Sequence, residues 1–225
     1  FNILRASTNR SFPRRYFTTY SVETEPGIRA LVYRLSDNRH ISRPPINKSK
    51  RAYLYISHHS ADQELRTNKA LIAYIKKHPD DEIFTVDLRG IGESRPNTAN
   101  PNSFLSPYGS DYLYAAHSVM LNRPYVGQKT HDLLRVIDFL AQSGSTDLTL
   151  HANGWGSIPG IFGTLQSPNV KSLKLENPLE SFHQLATTEH YNWPLSALVP
   201  NILRQFDIPD CLAAIKQRGT KTSTV

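Results

Sequence analysis

The segment Leu148-Thr149-Leu150-His151-Ala152-Asn153-Gly154-Trp155-Gly156-Ser157 puts small residues directly after an apolar run. It reads as a buried strand, a very tight corner and the first turn of a helix. Such a corner is a nucleophile elbow: it lifts one side chain clear of a sheet, where an oxygen can attack a carbonyl while backbone N–H groups hold the oxyanion. The position that would be lifted is Gly154. Glycine has no side chain, so no acyl intermediate can form on it. The degenerate corner comprises Asn153, Gly154, Trp155 and Gly156, and no residue is assigned a catalytic role.

Other groups are placed to line a pocket beside it. The Trp155 N–H is a ready oxyanion donor, so a carbonyl or carboxylate can bind there without being cleaved. The Trp155 ring either floors a sugar site by stacking or covers the sheet as core. Ser157 follows three residues after the corner, inside the first helical turn, where it faces sideways and suits a helix-start or packing role. His58 and His59 follow the run 52–56; adjacent residues at a strand end point in different directions, which argues against a shared metal ion. One of them is expected to line the pocket. His151 reads as a hydrogen-bonded core histidine. Glu176 and Glu180 follow the run 170–175. Asp87 and Arg89 are expected to brace the turn between them.

A different chemistry fits part of the same pattern. Gly154-x-Gly156-x-x-x-Gly160 follows a strand and opens a helix, and Glu176 comes about twenty residues later. Glycines that admit a pyrophosphate to a helix start, with an acid for the ribose, are the marks of a dinucleotide site. The spacing misses the strict Gly-x-Gly-x-x-Gly by one, with Pro159 at the third glycine's place.

These residues need a scaffold, and the pattern supplies one. Residues 1–15 are polar and basic and read as an arm or linker; 16–225 read as one domain. Runs 16–20 and 28–35 around Glu25-Pro26-Gly27 predict an antiparallel hairpin. Runs 52–56, 82–86, 147–151 and 170–175 predict buried strands, and 64–77, 112–120, 128–142 and 157–165 predict helices between them. Strands alternating with helices give an α/β fold with a largely parallel sheet covered on both faces. Residues 95–110, rich in Pro, Asn and Ser, form a long excursion, and no final two strands are found after residue 210.

The 225 residues are 39% hydrophobic and 20% charged, as in globular domains, and no apolar run is long enough to span a bilayer. Cys211 is the one cysteine, so no internal disulfide can form; it reads as a buried core thiol. The net charge is +7, and it is uneven: residues 1–51 hold eleven Lys and Arg against three acids, while the rest of the chain is close to balanced. These cations are not interleaved with a nucleic-acid motif, so a solvated surface is expected rather than nucleic-acid binding. No cofactor is expected under the hydrolase reading. The chain opens on Phe1 rather than Met, which fits a processed or excised product.

Three segments, in this order, resemble the α/β-hydrolase superfamily: the run 52–56 with Ser57-His58-His59, the turn Asp87-Leu88-Arg89-Gly90-Ile91-Gly92-Glu93-Ser94, and the corner itself. Gly127-Gln128, Asp132, and the stretches Tyr191-Asn192-Trp193-Pro194-Leu195 and Phe206-Asp207-Ile208-Pro209-Asp210 further resemble acetyl xylan esterase-like hydrolases. The match is nearest to the degenerate domain of their tandem-domain members. The resemblance spans roughly residues 16–215. It implies an α/β-hydrolase sheet lacking its last strands and an ancestral carboxyl-ester hydrolysis. It also implies an ester or carbohydrate ligand and a secreted or periplasmic setting. A sister hydrolase domain, or a second copy joined through an open sheet edge, is the implied protein partner. The family corner is small-x-Ser-x-Gly, whereas this chain reads Ala152-Asn153-Gly154-Trp155-Gly156. The family's catalytic histidine follows its last core strand, whereas no histidine follows His190 here. The resemblance therefore carries over a scaffold without a triad.

Overall fold

The computed structural model describes residues 1–8, 11–38, 49–96, 106, 109–190 and 192–225. Three strands come first: β1 (Asn2–Thr8), β2 (Tyr16–Glu25) and β3 (Ile28–Ser36), paired antiparallel in chain order. Then β4 (Arg51–Ile56), α1 (Ala61–Thr67), α2 (Lys69–Lys77), β5 (Glu82–Asp87), α3 (Ser110–Met120) and α4 (Tyr125–Gln142) follow. The chain continues through β6 (Asp147–Asn153), α5 (Ser157–Gln166), β7 (Val170–Glu176), α6 (Phe182–Thr187), α7 (Ile208–Gln217) and β8 (Lys221–Thr224). All eight strands join one sheet in the order β1-β2-β3-β5-β4-β6-β7-β8. The β3–β5 pair is antiparallel, and every pair from β5 to β8 is parallel.

Alternation along the strands builds two cores. Leu54 and Ile56 of β4, Phe84 and Val86 of β5, and Leu150 and Ala152 of β6 join Leu133, Val136 and Ile137 of α4 and Ile158 and Ile161 of α5. On the opposite face, Tyr53 and Tyr55 of β4 and Ile83 of β5 join Leu65 of α1 with Leu71 and Ile75 of α2. Burial on both faces is why β4 reads as an unbroken apolar run. Cys211 is buried on α7, and burial pushes its thiol up to about 11. No described helix is long and apolar enough to cross a membrane.

Three elements differ from the sequence expectation. Residues 2–8, expected within a basic arm, form β1 along the edge of β2. The helix expected over 64–77 is two helices. Asn68 between them is extended (φ −76°, ψ 105°), and its side chain accepts the Leu71 N–H, ending one helix and capping the next. The expected lack of two final strands after residue 210 is corrected by one, because β8 pairs in parallel with β7. Lys221-Thr222-Ser223-Thr224 offers no apolar face, so only its tertiary pairing makes it a strand. The excursion at 95–110 lies largely outside the described residues.

Candidate functional site

The sheet reverses its winding at β4. The connection from β4 leads to β5 on one side, while β6 lies on the other. In an open parallel sheet the crevice at such a switch point, at the carboxyl ends of the strands, is where ligands bind. Here it lies between Ser57-His58-His59-Ser60 after β4 and Asn153-Gly154-Trp155-Gly156 after β6.

Two buried carboxylates set the first loop. Glu64 on α1 accepts the backbone N–H groups of His58 (3.2 Å), His59 (2.9 Å) and Ser60 (3.1 Å). It also accepts the Tyr55 hydroxyl (2.6 Å) and the Asn153 Nδ2 group (3.0 Å), so one side chain ties both halves of the crevice together. Asp87 at the end of β5 accepts Ser57 Oγ (2.9 Å) and the N–H groups of Ala61 (2.7 Å) and Glu93 (3.1 Å). Burial pushes its carboxyl up to about 6 against these hydrogen bonds. Asp87 and Arg89 both brace the turn, as expected, but through separate partners. Arg89 turns away to Asp132, Gln128 and Glu25, and each residue holds its turn through different partners.

The second half of the crevice is the corner. Residues 154–156 form a 3-10 turn between β6 and α5, and Gly154 sits at φ +49°, a conformation that favours glycine. A Cβ on Gly154 would overlap His58 Nδ1. That same nitrogen accepts the Trp155 N–H at 3.0 Å. The donor expected to hold an oxyanion is thus engaged by an imidazole. The His58 ring stacks on His59 at 3.7 Å, and both meet Trp155 edge-on, at 5.3 and 4.6 Å. Trp155 is half-buried against this pair.

The remaining expected residues are engaged by neighbours within the fold. Ser157 is corrected as a pocket-lining residue: it is fully buried at the start of α5, and its Oγ accepts the Leu179 N–H at 3.4 Å. Glu176 accepts both of its Asn68 Nδ2 contacts at 3.1 Å. It also stands 3.1 Å from His151 Nε2, while the Tyr53 hydroxyl bonds His151 Nδ1. Despite that approach, the buried His151 Nε2 makes no hydrogen bond among the described residues, and the ring is held through Nδ1. This arrangement weighs against the dinucleotide reading as well. Imidazole fills the space a pyrophosphate would need at Gly154, Gly160 is packed on Ala152, and Glu176 is engaged within the fold. Sequence reasoning missed Glu64 and Asn68. The Ser60-x-x-Gln63 cap, which starts α1 three residues earlier than expected and brings Glu64 into its first turn, was the available signal. Among the described residues no group of three or more His, Cys, Asp or Glu side chains is arranged to hold a metal ion.

The buried rings make stability depend on pH. Burial, with His59 beside it, pushes His58 down to about 4. Burial, with Lys174 nearby, does the same to His151, and burial also lowers His59. Each ring stays neutral in the fold while the unfolded chain takes up a proton near 6.5. Its stabilisation is therefore full above that pH and is lost as the pH falls toward 4. The raised Asp87 acts in reverse: its contribution is present at low pH and fades as the pH rises from 3.8 to about 6. Three rings outweigh one carboxyl. The urea midpoint is expected to be lower at about pH 4.5 than at about pH 7, with a smaller drop in His151→Gln. A midpoint that holds or rises on acidification would contradict this balance.

No protein-family profile matches the chain, and no curated protein does. Solved structures do. A candidate acetyl xylan esterase from Bacteroides fragilis matches with a TM-score of 0.70 and 14% identity over 96% of this chain. An acetyl xylan esterase from Paenibacillus sp. R4 matches with a TM-score of 0.55 and 14% identity over 97% of the chain. A cold-adapted esterase from an Arctic intertidal metagenomic library matches with a TM-score of 0.55 and 12% identity over the whole chain. This chain spans 60%, 66% and 88% of those three proteins respectively. The fold is therefore of the α/β-hydrolase type, the fold class expected from the sequence.

Proposed function

We propose that this chain is a non-catalytic relative of the carbohydrate esterases, with Gly154 standing where such enzymes carry their nucleophilic serine. One observation carries the reading: the corner after β6 has a glycine at φ +49°, and His58 Nδ1 occupies the space of its missing side chain. Hydrolysis of a carboxyl ester needs a nucleophile and oxyanion donors. At this corner the first is absent, and the Trp155 N–H is already engaged. Ser157 cannot substitute, because it is fully buried at the start of α5.

Loss of the nucleophile from a serine triad costs about a million-fold in turnover. With p-nitrophenyl acetate the protein is therefore expected to release p-nitrophenol at no more than trace rates. Turnover at ordinary esterase rates that survives Ser157→Ala would show that another nucleophile is at work and would end this reading.

A further inference from the structure

A second concavity lies apart from the crevice. It is a cleft of about 630 Å³ between the start of β3, the turn after β5 and the first turn of α4. That volume suits a small organic molecule. We propose that this cleft binds a monoanionic aromatic carboxylate, with Arg95 and the Tyr125 hydroxyl holding the carboxylate and Tyr114 lying along the ring. The inference does not depend on the role of Gly154.

The carboxylate end rests on two donors. Tyr125 lines the cleft with only 7% of its surface exposed, yet its hydroxyl makes no hydrogen bond among the described residues. The hydroxyl oxygen is not among the sealed, unpartnered polar atoms of the fold, so the O–H opens on the cleft, where a ligand acceptor can meet it. The bare Cα of Gly90 makes the approach possible, since a Cβ there would stand 2.6 Å from the Tyr125 oxygen. Burial raises the phenol above its usual range, so it stays protonated and able to donate. Arg95 also lines the cleft. Its Nε donates to the Gly92 carbonyl at 2.9 Å, and its two terminal nitrogens face no carboxylate among the described residues. A guanidinium with two nitrogens to spare matches the two oxygens of a carboxylate.

The wall chooses the rest of the ligand. Tyr114 and Tyr125 present nearly parallel rings, 13° apart in plane with centroids at 6.4 Å, and Ile28 and Leu31 add apolar surface. A flat ring is the complement of that wall. Glu93 is the one acid in the lining and accepts the Tyr33 hydroxyl at 2.7 Å. Its charge disfavours a dianion such as phosphate. Two further cations in the lining are already engaged, Arg89 by Asp132 and Glu25 and Arg29 by the Ser21 hydroxyl.

Calorimetric titration with trans-cinnamate and with trans-cinnamamide, which has the same shape without the charge, tests the assignment. Cinnamate is expected to bind about tenfold more tightly than the amide, the ordinary value of a charge-assisted contact. Arg95→Gln, at an exposed position, should erase that preference. Tyr125→Phe should weaken cinnamate about fivefold while leaving the melting temperature near that of the parent protein. Equal binding of acid and amide, a preference that persists in Arg95→Gln, or no saturable binding of cinnamate up to roughly 10 mM would overturn the proposal.

Discussion

Asp132→Ala should lower the free energy of unfolding by about 3–5 kcal/mol. Asp132 is fully buried on α4 and accepts three hydrogen bonds from one residue: the Arg89 backbone N–H (3.1 Å), Nε (2.7 Å) and Nη2 (2.6 Å). The geometry is that of a forked pair, the strongest arrangement open to a guanidinium and a carboxylate. Removing the carboxylate leaves a largely buried cation with Gln128 and Glu25 as its remaining acceptors. Glu25 is less able to compensate because it is partly exposed and shared with Arg123, whose hydrogen bond, ahead of that from Arg89, holds its carboxyl down at about 2. The damage should also reach the crevice. Arg89 belongs to the turn whose Gly92 N–H holds the His59 carbonyl at 2.8 Å. Urea denaturation of Asp132→Ala and of the double variant Arg89→Met with Asp132→Leu separates the two parts of the effect. The double variant, which removes both charges, should be much less destabilised than the single one. An Asp132→Ala protein within about 1 kcal/mol of the parent would mean that the pair is screened by water rather than buried.

Arg89, Gln128 and Asp132 all lie in motifs that stand out in the sequence, yet their meeting does not. It joins positions 39 and 43 residues apart, and only the seating of α4 against the turn after β5 brings them together. The same division holds across the fold. Strands β4 to β7 were legible because each is a compact apolar run bounded by polar or turn residues, the pattern that burial on two faces demands. β8 was illegible because its four polar residues become a strand only through β7. At the crevice the corner was legible from Gly154-x-Gly156 after a strand. The neighbour that fills it was not. His58 and Gly154 are far apart in the chain, and their contact follows from β4 and β6 lying side by side. Glu64 was harder still, since nothing in a helical carboxylate announces that it turns inward to collect three backbone N–H groups.

That side-by-side contact yields the second large effect. Gly154→Ser is expected to cost about 2–4 kcal/mol and to create no esterase. Part of the cost is local. Any side chain at φ +49° is strained by about 1–2 kcal/mol, whatever surrounds it. The rest is collision: the new Cβ would overlap the His58 ring, which must then shift within the buried crevice and strain both its bond from the Trp155 N–H and its stack on His59. His58→Ala combined with Gly154→Ser removes the collision but keeps the backbone strain. A double-mutant cycle should therefore give a coupling of about 1–2 kcal/mol in favour of the pair. Purely additive costs would mean that the ring and the corner do not touch in solution. Restoring the oxygen should not restore hydrolysis, even though a histidine is adjacent. A ring held down at about 4 is a poor base at neutral pH, because proton abstraction is most effective when the base titrates near the working pH. Any displacement that raised His58 toward its ordinary value would also free the Trp155 N–H for an oxyanion. Hydrolysis of p-nitrophenyl acetate by Gly154→Ser, with a rate that rises through a pKa near 6.5, would therefore show that His58 can leave the crevice and act as a base.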